Sequence, residues 1–155
     1  MGQPGYWGRP APTPAVAARM AAQAVKNTGP ERRLAEALRV IGLRPCRHHR
    51  LPYGRRGMEL DFAWLVRRVG VVVNGCYWHG CVKCAGAKAG PSAGEWARKI
   101  EQTRARDARN RDLAADRGWR VVTVWEHEDP AEAARRIAAL LRAGEKPANG
   151  LTVLS

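Results

Sequence analysis

Three cysteines crowd the short stretch that follows a strongly apolar run. The run Val69–Val73 predicts a buried strand. Residues 74–84 come next and read Asn-Gly-Cys-Tyr-Trp-His-Gly-Cys-Val-Lys-Cys. Thiols at this spacing are typical of a tetrahedral zinc site, which ties a loop to the element that supplies the fourth ligand. The three thiols are those of Cys76, Cys81 and Cys84.

The spacing leaves the fourth ligand open. His127 follows another apolar run, 119–125, and is the better candidate if the two predicted strands are neighbours. His79 is nearer in sequence, but its use would crowd a single loop. Two other interpretations are a redox pair of Cys81 and Cys84, which lacks a preceding βαβ pattern, and inert buried thiols. Zinc held by four protein ligands would be structural.

The length and charge of the chain favour one domain that binds nucleic acid. The 155 residues suffice for one core, and 27 Lys and Arg against 14 Asp and Glu give a net charge of +13. Such an excess favours phosphate contacts. An anionic membrane is the alternative, but no apolar run reaches the roughly 18 residues of a spanning helix. Without a signal-peptide pattern, we expect a cytoplasmic, nucleoid-associated protein with reduced thiols.

The order of the predicted elements indicates an α/β layered domain. Pro and Gly in residues 1–14 predict a flexible arm, followed by one domain at 15–144 and a tail at 145–155. A capping box of Thr28 and Glu31 opens the second helix, and Asp129 caps the last. Helices are predicted at 15–25, 28–42, 92–118 and 129–144, and strands at 44–50, 58–66, 69–74 and 119–125.

A carboxylate in an apolar strand is the strongest catalytic signal. Ionised Asp61 would cost several kcal/mol there unless it were paired or bound to a metal. Mg²⁺ prefers oxygen ligands, and His79 after the next strand is a candidate general base, so the pattern predicts phosphodiester hydrolysis. The alternatives are that Asp61 is an edge residue paired to an Arg, that His79 binds zinc, and that Glu31 only caps its helix.

Exposed aromatic residues are a further DNA-binding signal. Tyr77 and Trp78 lie in a polar, Gly-flanked loop, and Trp96 opens a basic helix. Rings inserted at a base step unstack and kink duplex DNA. The alternatives are that the loop rings cover the zinc site as a small core, and that the basic helix is only a solvated face.

In order, these residues resemble the very-short-patch-repair (Vsr-type) DNA mismatch endonucleases from Ala18 to Ala143. The resemblance implies a restriction-endonuclease-like three-layer fold with a mixed central sheet and a structural zinc site. It also implies Mg²⁺-dependent nicking beside a T:G mismatch in double-stranded DNA, in mismatch repair. Other mismatch-repair proteins are expected partners, and the default state is a monomer. The matching residues are Met20, Pro30-Glu31, Leu34, Leu38, Asp61, Gly75-Cys76-Tyr77-Trp78-His79, Glu95-Trp96, Lys99-Ile100, Arg106-Asp107, Gly118-Trp119-Arg120-Val121 and Trp125-Glu126.

The resemblance also implies residue roles. Asp61 would bind Mg²⁺ together with the backbone carbonyl of Val73, His79 would be the general base, and Glu31 would help order the site. The DNA contacts it implies are a major-groove wedge, an insertion from the opposite side and a contact to the mismatch. The wedge would consist of Tyr77, Trp78 and Trp96. Met20 would insert from the opposite side, and Lys99 would contact the mismatch.

Some positions depart from the family pattern. Asn74 replaces a His that acts at the scissile phosphate, and Thr103 replaces an Asn that reads the mismatch. The zinc set is permuted, because Cys81 replaces a His, Cys84 lies one residue late and His127 replaces a Cys. Two alternatives follow: a nuclease of this fold with another mismatch, modified base or sequence as its target, and a DNA-binding module with weakened catalysis.

Overall fold

A computed structural model of the chain describes residues 14, 15, 18, 26–84 and 93–143. The predicted tail, Met20, most of the predicted helix at 15–25 and almost all of the predicted arm lie outside the described residues. None of the helices in the described ranges is long and apolar enough to cross a membrane. The described elements are helices α1 (Gly29–Val40), α2 (Ala93–Ala115) and α3 (Pro130–Ala143), and strands β1 (Cys46–Leu51), β2 (Met58–Trp64), β3 (Val69–Asn74) and β4 (Arg120–Trp125).

The four strands form one mixed sheet in the order β1-β2-β3-β4. Strands β1, β2 and β3 pair antiparallel, whereas β3 and β4 pair parallel. A parallel pair needs a long crossover, and α2 supplies it. The parallel register runs from Val69 opposite Arg120 to Asn74 opposite Trp125. Both strands therefore end at the same edge of the sheet, and the loops that follow them emerge side by side.

Helices cover both faces of the sheet, which gives the predicted three layers. On one face, Leu34 and Leu38 of α1 and Ile137 of α3 pack with Phe62 of β2. On the other face, Ala114 of α2 packs in a cluster whose other buried members include Leu51, Leu60 and Trp119. Full burial of a large apolar side chain contributes about 1.5–3 kcal/mol, so these clusters fix where α1 and α2 lie on the sheet. The predicted α/β layered architecture is confirmed.

The helix ends follow from local hydrogen bonds, with two differences from prediction. The Asp129 carboxylate accepts hydrogen bonds from the first turn of α3, as a capping residue does. At α2, Gly118 has φ +80° and the Trp119 N–H donates to the Ala114 carbonyl, so the helix ends three residues before that glycine. Thr28 is the N-cap residue of α1, but its hydroxyl makes no capping bond and instead donates to Glu31.

Helix α2 is also fastened to the cysteine-containing loop. Gly80 in that loop has φ +64°, and a Cβ on it would lie 2.3 Å from Cγ2 of Ile100 on α2. The Arg104 guanidinium donates a hydrogen bond to the Gly80 carbonyl. Only glycine satisfies both the left-handed backbone and this close approach.

Replacing Gly80 with Ala is therefore expected to destabilise the protein. Left-handed strain and overpacking against Ile100 together cost about 2–4 kcal/mol, which chemical denaturation of the full chain would measure. Gly94→Ala is the matched control, because no atom lies within 4 Å of a Cβ built there and Ala favours a helix. Equal stability of the Gly80→Ala variant and the wild type would contradict this account of the loop.

Candidate functional site

The structure brings the four predicted zinc ligands together. Their ligand atoms all lie within 4.8 Å of one another. Nδ1 of His127 is 3.2 Å from Sγ of Cys76 and 3.4 Å from Sγ of Cys81. The parallel pairing of β3 and β4 explains this, because His127 follows one strand and Cys76 the other. Among the described residues, His127 and not His79 completes this cluster, whose remaining member is Cys84.

The chemistry of this donor set fits a zinc ion. Burial raises the pKa of the Cys76 thiol to about 11, and the neighbouring thiols add to the effect. Burial also opposes ionisation of Cys81, but backbone N–H groups and the adjacent thiols outweigh it and lower its pKa. As thiolates, three sulfurs this close would need a cation between them, and three sulfurs with one imidazole are a common tetrahedral zinc set.

A second cluster gathers around the carboxylate of Asp61. One ligand atom each of Glu31, His48 and Asp61 lies within 4.8 Å of the others. Oδ2 of Asp61 accepts a 2.6 Å hydrogen bond from the Val73 N–H. Burial raises the pKa of Asp61 to about 6; the Val73 hydrogen bond opposes this rise, and repulsion from Glu31 adds to it. The hydrogen bond fixes one carboxylate oxygen at the end of β3.

The proposed alternative for Asp61 is wrong. Strand β2 lies between β1 and β3 and is not an edge strand. Within residues 26–84 and 93–143, the Asp61 carboxylate accepts its hydrogen bond from a backbone N–H and not from an arginine. The carboxylate therefore lies inside the sheet layer, next to two other potential metal ligands.

Glu31 serves both the start of α1 and this second cluster. Its side chain is buried, with 3% of the residue exposed. One oxygen accepts the Asn27 backbone N–H at 2.8 Å, and the other accepts the Thr28 hydroxyl at 3.0 Å. Nη2 of Arg47 lies 3.7 Å away. These donors allow a carboxylate to be buried beside Asp61, so the capping interpretation and the site interpretation are compatible.

His79 has a carboxylate partner on α2. Its Nδ1 lies 2.8 Å from Oδ2 of Asp107. Burial alone would raise the pKa of Asp107, but the hydrogen bond and charge of His79 and the nearby Arg106 together lower it. A carboxylate at Nδ1 fixes the ring orientation and leaves Nε2 to face the surroundings.

A cavity of about 410 Å³ lies beside this imidazole. It is lined by His79, Asp107 and Glu59, and by Asn74, which is 5% exposed. Glu59 also lies 3.6 Å from Nδ1 of His48, so the cavity borders the carboxylate cluster. Its basic lining, which suits a phosphate backbone, comes from Arg55, Arg56, Arg106, Arg109 and Arg111.

The three predicted wedge residues form an aromatic cluster in which Tyr77 and Trp78 are exposed and Trp96 is half-buried. The ring of Tyr77 lies 5.1 Å from that of Trp78 and 4.6 Å from that of Trp96, measured between centroids. Tyr77 is 45% exposed and Trp78 is 41% exposed, although they belong to the loop that carries the thiols. On α2, Lys99 is exposed and Thr103 is half-buried. The roles of these residues in DNA binding stay predictions.

Sequence reasoning missed two members of these clusters. The sequence predicts His48 only as part of the strand at 44–50, and its φ of +52° has no sequence signature. Asp107 was matched to the family without a role, because nothing in the sequence shows which loop residue faces its turn of α2. The pair Arg106-Asp107 in an otherwise basic helix was the one available signal.

The chain is similar to known proteins. Residues 14–85 match the family model described as DNA mismatch endonuclease Vsr. The chain is 37% identical to the type II nicking enzyme V.XorIIP of Xanthomonas oryzae pv. oryzae over 103 residues. The aligned region covers 66% of this chain and 73% of that protein. The chain is also 32% identical over 135 residues to the type II nicking enzyme V.NaeI of Lentzea aerocolonigenes, covering 85% and 80% respectively.

The His79–Asp107 contact predicts a pH-dependent contribution to stability. A carboxylate whose pKa is lowered on folding stabilises the native state above its unfolded pKa of about 3.9, and this contribution is lost as the pH falls through the folded pKa. We expect Asp107→Asn to lower the free energy of unfolding near pH 6 by no more than about 1 kcal/mol, because the pair is partly exposed. The difference in free energy of unfolding between the wild type and Asp107→Asn should become smaller towards pH 3.

Urea titrations at several pH values measure this difference. Asp112→Asn is the matched control, since Asp112 is exposed on the same helix. A deficit that is independent of pH, or one of equal size in the control, would contradict the assignment.

Proposed function

Because the chain belongs to the Vsr family of DNA mismatch endonucleases, we propose that it nicks one strand of double-stranded DNA beside a T:G mismatch with the help of Mg²⁺. Family membership supports a DNA endonuclease, and the two relatives are named as nicking enzymes. The observation that carries the proposal is the placement of Asp61. Its carboxylate lies next to Glu31 and is hydrogen-bonded at the end of β3, just before the loop that carries His79.

Asp61 and Glu31 would hold the catalytic cation, together with the backbone carbonyl of Val73. The set fits Mg²⁺, because carboxylate and carbonyl oxygens are its preferred protein ligands. When bound, Mg²⁺ supplies stabilisation of the negative charge that develops on the phosphate and on the leaving oxygen.

His79 would act as the general base. With its Nδ1–H donated to Asp107, Nε2 carries the lone pair that takes a proton from the attacking water. The water oxygen then forms a bond to phosphorus, and the bond from phosphorus to the leaving sugar oxygen breaks. Asn74 in the same cavity offers amide hydrogen bonds to a phosphate but cannot transfer a proton near neutral pH, so we expect modest turnover.

We also propose a structural zinc ion between the two loops that follow β3 and β4. Cys76, Cys81, Cys84 and His127 would hold it. A closed set of four protein ligands leaves no open position for substrate, so the ion would stabilise the fold and not take part in the reaction. Because the same loop carries His79, a zinc ion that holds the loop would also hold the proposed base in position.

Two parts of the protein would contact the DNA, the basic lining of the cavity and the aromatic cluster. Arginines of the cavity would contact the phosphates near the scissile bond, and the aromatic cluster would insert at the mismatched step. Lys99 and Met20 would contact the DNA around the mismatch. We propose that the protein acts as a monomer in mismatch repair, together with other repair proteins.

A nuclease with a different DNA target is the second candidate. Thr103 favours it, because one hydroxyl on a half-buried side chain cannot make the paired contacts of an amide that reads a mismatch.

A strand-labelled nicking assay tests the proposal. Duplexes that are matched, T:G-mismatched or otherwise mismatched are incubated with the protein and Mg²⁺ at fixed salt. We expect nicks only in the T strand of the T:G duplex, and their loss in Asp61→Asn. Nicks in another duplex support the second candidate. Intact binding without any nick would contradict the enzymatic proposal.

Replacing Trp78 with Ala tests the wedge. Stacking of an aromatic side chain on a base contributes about 1–3 kcal/mol, so affinity for the T:G duplex should fall at least about fivefold while affinity for the matched duplex changes little. Fluorescence anisotropy measures both. Val82→Ala is the matched control, because Val82 is 88% exposed in the same loop. Equal losses on both duplexes would contradict the wedge assignment.

A further inference from the structure

His48 occupies an unusual backbone conformation directly opposite Asp61. The pairing of Arg47 with Phe62 and of His49 with Leu60 places His48 and Asp61 at the same level of the sheet. The φ angle of His48 is +52°, in the left-handed region that costs a non-glycine residue about 1–2 kcal/mol. A regular strand does not require this conformation. The strain therefore indicates that the surroundings of His48 constrain the position of its imidazole.

The distortion extends to the alternation of side chains along β2. Leu60 belongs to the apolar cluster under α2, whereas Phe62, two residues later, belongs to the cluster under α1 and α3. In a regular strand these two side chains would share a face. The change of face occurs at Asp61, so both strands are irregular at the level of the carboxylate cluster.

Carboxylates flank both nitrogens of the His48 ring. Nε2 lies 3.9 Å from Oε2 of Glu31, on the side of the carboxylate cluster. Nδ1 lies 3.6 Å from Oε1 of Glu59 and is buried, with no hydrogen-bond partner among the described residues. Glu59 is in turn held by the ammonium group of Lys26 at 2.9 Å.

Among the described residues, carboxylates outnumber basic groups around the His48 imidazole, so the site can accept a cation. Three carboxylates, those of Glu31, Glu59 and Asp61, surround the imidazole, and two basic groups face them. Lys26 contacts Glu59, and Arg47 lies 3.7 Å from Glu31. In the part of the chain that the structure describes, these two basic groups pair with Glu59 and Glu31 and not with Asp61.

We propose that Nε2 of His48 is a direct ligand of the divalent cation held by Asp61 and Glu31, and that Glu59 accepts the Nδ1–H bond that orients the ring. Metal-bound histidines nearly always donate their other N–H to a carboxylate, carbonyl or water, and Glu59 is placed to accept it after a small shift. This inference rests on the proposed function, since it concerns the same metal site.

A nitrogen ligand changes which cations the site prefers. Mg²⁺ binds oxygen almost exclusively, whereas later divalent transition metals accept imidazole together with carboxylates. Replacing His48 with Gln should therefore weaken Mn²⁺ binding about 10–100-fold, and should weaken Mg²⁺ binding less.

Electron spin-echo spectroscopy of Mn²⁺ tests the inference directly, because it detects nitrogen bound to the ion. The probe is Mn²⁺ alone, added to the zinc-loaded full chain. We expect ¹⁴N modulation in the wild type and its loss in His48→Gln. His79→Gln should keep the modulation. So should His49→Gln, the matched control, because His49 stacks on Trp119 on the other side of the strand.

Glu59→Gln separates orientation from ligation and does not depend on the folding of the His48 variant. It should weaken Mn²⁺ binding and keep the ¹⁴N modulation. The inference is overturned if the wild type binds no Mn²⁺, if it binds Mn²⁺ through Asp61 without ¹⁴N modulation, or if the modulation persists in His48→Gln. Nicking by the same samples is scored separately. Absence of nicking with ¹⁴N modulation intact would contradict the proposed function and leave the ligand assignment standing.

Discussion

The parallel pairing of β3 with β4 is the interaction on which the rest of the site depends. Because the two strands end in register, the loop with the three cysteines and the turn with His127 emerge at one edge of the sheet. The same edge receives the Asp61 carboxylate through its hydrogen bond to the Val73 N–H. A change in this register would separate the sulfur ligands from the imidazole of His127 and would leave the loop that carries His79 without its contact to the end of β4.

Stability and chemistry share one loop in this arrangement. Residues 76–84 carry the three thiols, the proposed base His79 and two exposed rings. Gly80 packs that loop against α2, and Asp107 of the same helix contacts His79. The proposed zinc ion would thus hold the loop from one side and α2 from the other, so that the imidazole and the rings keep fixed positions relative to the DNA.

The sequence predicted the described strands and the Cys76-Cys81-Cys84-His127 cluster for identifiable reasons. An apolar run such as Val69–Val73 has few alternatives to a buried strand, and Asp129 before Pro130 is a strong helix start. His127 could be chosen because it follows a second apolar run. The contacts of His48 and His79 could not be predicted in this way. The contacts of His48 depend on a left-handed backbone inside a strand. The contact of His79 depends on which turn of α2 lies against the loop, and tertiary packing determines that turn.

X-ray absorption at the zinc edge tests most directly whether the two loops are joined as proposed. For the protein purified with zinc, we expect about three sulfur neighbours at about 2.3 Å and one nitrogen at about 2.0 Å. In His127→Ala the nitrogen shell should be lost or replaced by an oxygen from water, while the sulfur shell remains. Absence of bound zinc, or a wild-type spectrum that His127→Ala leaves unchanged, would contradict the account.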